Sequence, residues 1–151
     1  MIRCWILIGG NGVRKGSVVR ALTGIGNGRD CQIALRNGQY LHLAIATVSS
    51  INEREAPNPD QWVSSQENGI NQRIKNLLVC FQINGQQGFD AEDYIRSLDN
   101  SGADIRSIVT LGESTPSWVP RYGAPYASIP DSMITPTAIT AAMVRTLWDW
   151  A

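Results

Sequence analysis

The sequence predicts an α/β fold, a three-layer sandwich with a mostly parallel sheet of about five strands, one hairpin, and helices on both faces. Three observations carry this. First, "NLLVCFQI" (76–83), "FDAEDYIRSLDNSG" and "DIRSIVTL" (104–111) read as strand, helix and strand, a βαβ unit with a right-handed crossover and parallel strands. Second, "CQIALRNGQYLHLAIATV" (31–48) sets Asn37-Gly38 between two β-rich runs, the signal for a hairpin with a type I′ turn. Third, strand and helix patterns alternate along the rest of the chain, as layered α/β domains require.

In chain order, Ile2 to Ile8 is the first strand, and a loop at 9–16 follows it. Val18, Ala21, Leu22 and Ile25 then recur at helical spacing, so a helix is expected from Ser17 to about Leu22, with Gly24 and Gly26 ending the run. "NEREAPNPD" (52–60) is a polar, proline-broken loop, and a modest helix starts near Pro59 with Trp62, Ile70 and Ile74 on its apolar side. In the βαβ unit, Asp90 caps a helix with Asp93 in its first turn and an apolar stripe of Ala91, Tyr94, Ile95 and Leu98, and Gly102 stops it. Prolines at 116, 120, 125 and 130 keep residues 114–135 irregular. The last helix (136–150) takes Thr135 as cap and Pro136 at its first position, with Ile139, Met143, Leu147 and Trp150 forming one face.

The 151 residues fit a single domain, and 43% hydrophobic against 17% charged residues fits a folded globular chain. Thirteen basic and thirteen acidic residues cancel, so the net charge indicates neither nucleic acid nor an anionic membrane as partner. The start of the chain is nonetheless basic: Arg3, Arg14, Lys15, Arg20, Arg29 and Arg36 face the single acid Asp30. Cys4, Cys31 and Cys80 sit in apolar runs, match no zinc spacing and read as reduced, buried thiols. The N-terminal apolar run is too short for a signal peptide and no run reaches membrane-spanning length, so the expectation is a cytoplasmic protein.

The stretch with most chemistry is "WILIGGNGVRKGSVVRALTG" (5–24). Glycines after a strand and before a helix let backbone amides curl around an anion at the positive end of the helix dipole. The candidate phosphate-binding residues are Gly10, Gly12, Arg14, Lys15, Gly16 and Ser17. "GGNGVRKGS" followed by "VVRALTG" resembles the loop of the P-loop NTPase superfamily, whose pattern is G-x-x-x-x-G-K-[ST]. The hairpin and the later βαβ unit are similar in order to small GTPases and related ATPases. The resemblance implies a P-loop-like sandwich that binds ATP or GTP with magnesium, with Gly10 opening the loop and Ser17 at the metal-contacting hydroxyl. Gly16 and Lys15 are transposed relative to that pattern, so a side chain at position 15 is expected to force the loop open. No aspartate sits at a strand end, and "QING" stands where the guanine signature would be, so hydrolysis is not indicated.

Three functions follow. The leading one is a degenerate P-loop-like module acting as a regulatory or assembly subunit. The second is a competent nucleotide hydrolase or kinase whose acid is Glu53 or Glu113. The third is an interaction module docking through the Pro/Trp/Tyr loop and the C-terminal helix. Trp148 and Trp150 lie two positions apart and cannot share a helix face, so one of them is expected to face solvent, a protein partner or a second copy. His42 is read as a packed or edge-strand residue, and Glu53, Glu55 and Asp60 as a solvated acidic loop with no metal. In the 112–131 segment, Trp118, Tyr122 and Tyr126 could close over a base or bind a partner, but are expected to pack on the core.

Overall fold

In a computed structural model of the chain, residues 1–10, 12–25, 30–47, 57–68, 75–84 and 88–151 are described. The expectations placed on Gly26, Glu53, Glu55, Ile70 and Ile74 lie outside these residues. The sheet is organised around its most apolar run. Strand β1 (Ile2–Gly9) is buried at every residue but Arg3, because it lies between β4 (Lys75–Gln82) and β5 (Asp104–Leu111) and pairs in parallel with both. Strand β3 (Tyr40–Thr47) adds in parallel to β4, and β2 (Asp30–Ala34) closes that edge antiparallel to β3. The order is β2-β3-β4-β1-β5-β6, with β6 (Tyr126–Ile129) parallel to β5 at the other edge.

Among the described residues the sheet thus has six strands, against the expected five or so. The additional one, β6, falls inside the segment expected to be irregular. Its four residues fit between Pro125 and Pro130, and an edge position tolerates flanking prolines that a central strand would not. The hairpin at 30–47 is present, but its turn differs from the expected type I′. Gly38 N–H donates to Leu35 O and Leu35 N–H to Gln39 O, with Gly38 at φ 86°. Asn37 is not left-handed, so the connection is a three-residue loop whose single left-handed position is glycine.

Alternation along the strands sends side chains to two helical layers. Trp5, Leu7, Leu43 and Val109 face α1 (Lys15–Thr23) and α4 (Thr137–Trp148). Cys4, Ile6, Ile8, Val79 and Ile108 face α2 (Pro59–Asn68) and α3 (Ala91–Asn100), where Trp62, Phe81 and Tyr94 stack and abut. Among the described residues no helix is long and apolar enough to cross a membrane.

Helix α3 begins with a reciprocal cap: Asp93 N–H donates to the Asp90 carboxylate and Asp90 N–H to that of Asp93. Asp90→Ala is expected to cost about 1 kcal/mol in urea denaturation. Cys4 and Cys80 are buried thiols whose pKa values burial pushes up to about 12, while Cys31 is half-buried. The unfolded thiols ionise first, near their ordinary 9.0. Their contribution is therefore whole below that pH and is lost between it and 12. By pH 10.5 the loss is expected to reach about 2 kcal/mol per thiol, read from urea midpoints across the alkaline range.

The C-terminal helix departs most from its pattern. It packs Thr140, Ala141, Val144 and Trp148 inward and leaves Ile139, Met143 and Leu147 about half exposed. Small residues at 141 and 144 let α4 approach α1 closely, and the Arg145 guanidinium donates to the Ala21 carbonyl across that contact. The helix runs Thr137–Trp148, not 136–150: Pro136 stands at its N-cap, and the Thr135 hydroxyl donates to Asp131 O instead of capping it. Asp149 turns left-handed (φ 57°), and Trp150 folds back to bridge Leu35. Both tryptophans are consequently buried, at 6% and 1% exposure, which overturns the expectation that one of them faces solvent or a partner. The turn at Asp149 removes the helical phase on which that expectation relied.

Candidate functional site

The glycine loop leaves the carboxyl end of β1. Gly9 sits between Gln82 of β4 and Leu111 of β5, where there is no room for a side chain. A Cβ there would lie 2.5 Å from Val13 Cγ2 and 2.9 Å from the Leu111 carbonyl oxygen. Gly112 is closed in by the same residue, its notional Cβ 2.5 Å from Val13 Cγ1. Val13, 5% exposed, is therefore the wedge that joins the loop to the ends of β1 and β5.

The turn into α1 is made by two left-handed residues, Gly12 (φ 82°) and Arg14 (φ 63°). Arg14 is the N-cap, and no side chain caps the helix. A left-handed arginine costs on the order of 1–3 kcal/mol, the kind of strain that collects at functional sites. The helix starts at Lys15, two residues earlier than expected. Lys15 has ordinary helical geometry, so the side chain at this position does not force the loop open. Arg14 and Gly12 carry the strained conformations instead.

Lys15 turns its side chain back over the loop. Its Nζ donates to Gly10 O at 2.9 Å and to Gly9 O at 3.0 Å. Burial lowers its pKa, and the nearby Cys80 thiol opposes that shift. An ammonium has three donors, so one N–H remains beyond the two carbonyls. Gly16 and Ser17 are exposed in the first turn, which contains no acid. The amides of Lys15, Gly16 and Ser17 precede the first helical bond, Val18 N–H to Arg14 O, and form the positive end of α1.

The loop also stands where open α/β sheets bind ligands. The connection after β1 passes to the α1 face and that after β4 to the α3 face, so the loop leaves β1 at the carboxyl end of the sheet where neighbouring connections diverge. Two residues beside it escaped the sequence reading. Gln82, paired with Gly9, has a buried side-chain oxygen with no hydrogen-bond partner among the described residues, and Val13 is the wedge. The polar residue closing an apolar strand was the available signal for Gln82.

Of the candidate acids, Glu113 is brought to the loop, its Oε2 4.0 Å from a notional Cβ on Gly10. Asp60 is in α2, where it accepts from the Ser97 hydroxyl on α3. His42 lies on β3, between β2 and β4, so it is neither on an edge strand nor packed inside: its Nε2 is 3.3 Å from the Asp30 carboxylate on β2, both well exposed and remote from the loop in the strand order. Trp118 and Tyr122 pack edge to face with one another and, partly buried, against the α2–α3 side as expected, whereas Tyr126, at the edge of the sheet on β6, is half exposed and does not. Among the described residues no group of three or more His, Cys, Asp or Glu could hold a metal ion. A magnesium ion of the kind the resemblance implies, which keeps several waters and is held by one or two carboxylates plus the ligand's phosphates, would have Glu113 and the Ser17 hydroxyl as described side-chain oxygens beside the loop.

Comparison with protein-family models, curated protein sequences and solved structures gives no match for this chain. The functional reading rests on the geometry alone.

Proposed function

We propose that this chain is a small P-loop-like module that binds the phosphates of a nucleotide at its glycine loop, turns them over poorly or not at all, and serves as a regulatory or assembly subunit. The observation that carries the reading is Lys15: its ammonium is held over the loop on the Gly9 and Gly10 carbonyls beside the uncapped, acid-free end of α1. A charge held there in advance, with first-turn amides exposed next to it, suits an anion. Gly10, Gly12 and Gly16 leave the backbone bare, and Arg14 and Ser17 flank it. The transposition of Lys15 and Gly16 supports slow turnover, because phosphoryl transfer requires a positioned charge.

The test is calorimetric titration with ATP, GTP and pyrophosphate, with and without magnesium, followed by single-turnover product analysis. Saturable binding with nucleotide recovered intact is expected. Absence of binding at millimolar ligand contradicts the reading.

A hydrolase remains the second reading because Glu113 faces Gly10. If it holds, turnover is measurable and Glu113→Gln removes it with binding retained. The interaction-module reading loses Trp148 and Trp150 as anchors, since both are buried.

A further inference from the structure

At the other end of β1, about 20 Å from the glycine loop, a half-open cavity of about 490 Å3 lies beneath the last turn of α4. Its volume is in the range of small-molecule sites. Arg3, Arg36, Arg106, Ser107, Trp148 and Trp150 line it, and Asp149 is the only carboxylate among the lining residues.

Local backbone geometry builds the cavity wall. The β1–β5 ladder pairs Cys4 with Ile105 and then Trp5 with Ser107, so Arg106 is an inserted residue with no partner on β1. Such bulges are rare between parallel strands, and they re-aim side chains. This one brings Ser107 level with Trp5 on the α4 side of the sheet and places Arg106 beside it.

Several polar groups here lack a partner among the described residues. Ser107 is 7% exposed and its hydroxyl makes no hydrogen bond to any described residue. The indole N–H groups of Trp148 and Trp150 are buried and equally without partners, although buried tryptophan ordinarily finds one. Arg3 makes no ion pair with a described residue, Arg36 donates to the Thr146 hydroxyl, and Arg106 meets Asp104 at 3.2 Å in a half-exposed pair. The lining is thus rich in donors and poor in acceptors. Trp5, Leu41 and Leu147 supply the apolar walls.

We propose that this cavity binds a small organic anion, a flat apolar body bearing a carboxylate or a phosphate. The guanidiniums of Arg3 and Arg106, both on the cavity lining, receive the charged head in the forked geometry that suits both groups. The body lies against Trp5 and the end of α4. This site is separate from the glycine loop and does not depend on the reading given to that loop.

The test is tryptophan fluorescence of the full chain titrated with phenyl phosphate, benzoate and benzyl alcohol. Trp5, Trp148 and Trp150 report on the cavity. At least one of the two anions is expected to give a saturable change, with the neutral alcohol roughly tenfold weaker or worse. The tighter of the two anions assigns the head group. Arg3→Gln and Arg106→Gln, each checked for folding by circular dichroism, are expected to weaken anion binding by roughly tenfold. Ser107→Ala, which leaves charge and cavity in place, should weaken it less. Equal binding of benzyl alcohol, unchanged affinity in both folded arginine variants, or no saturable signal from either anion overturns the proposal. So does a signal that Lys15→Ala removes and Arg3→Gln leaves intact, because it would place the anion at the glycine loop.

Discussion

Lys15→Ala is expected to weaken nucleotide binding by roughly 10- to 100-fold, the factor that corresponds to one charge-assisted hydrogen bond of about 1.5–3 kcal/mol. The chain should remain folded. Gly9 O keeps a bond from Ile83 N–H when the ammonium is gone, and the half-buried lysine contributes little apolar packing. Lys15→Arg separates charge from shape. A guanidinium keeps the charge but is a planar fork, so it should restore only part of the affinity. Calorimetry on the three chains under one ionic condition is the measurement. Equal affinity in wild type and Lys15→Ala would remove this lysine from the site.

The largest stability effect is expected at Gly112. Alanine there meets two penalties together: a φ of 81° that side chains resist, and a Cβ 2.5 Å from Val13 Cγ1. Val13 is wedged against Gly9 as well and cannot retreat without disturbing β1. About 2–4 kcal/mol is expected from strain and overpacking combined. Gly12→Ala is the matched comparison, because its φ is 82° but nothing lies within 4 Å of its Cβ. It should cost about 1–2 kcal/mol, the backbone term alone. Urea denaturation of both variants isolates what the Val13 wedge contributes. Equal losses would mean that the wedge can move and that the loop is not rigidly joined to β5.

These cases also show what the sequence made legible. Long periodic runs were read with little error: β5 matches residue for residue, α3 has its expected cap, and the helix near Pro59 begins there. The strand–glycine–helix arrangement at 5–24 was visible because glycine punctuation and apolar runs are local signals. What was missed depended on tertiary contacts. Amphipathic spacing put Ile139, Met143 and Leu147 in the core, but close packing against α1 favoured the smaller Ala141 and Val144. Short β6 is held by its pairing with β5, and its proline-flanked residues carry no strand pattern of their own. Trp150 is buried by one left-handed aspartate that no helical wheel anticipates. At the loop, residue types were legible but backbone shape was not, so the strain assigned to position 15 lies at Arg14.

The central claim is that phosphate is received at the glycine loop, and amide chemical shifts test it most directly. In 1H–15N spectra titrated with pyrophosphate, the amides of Gly10, Gly12, Gly16 and Ser17 are expected to shift together and saturably, with those of Arg3 and Ser107 unmoved. Shifts confined to the Arg3–Ser107 end of the sheet, or none at all, would contradict it.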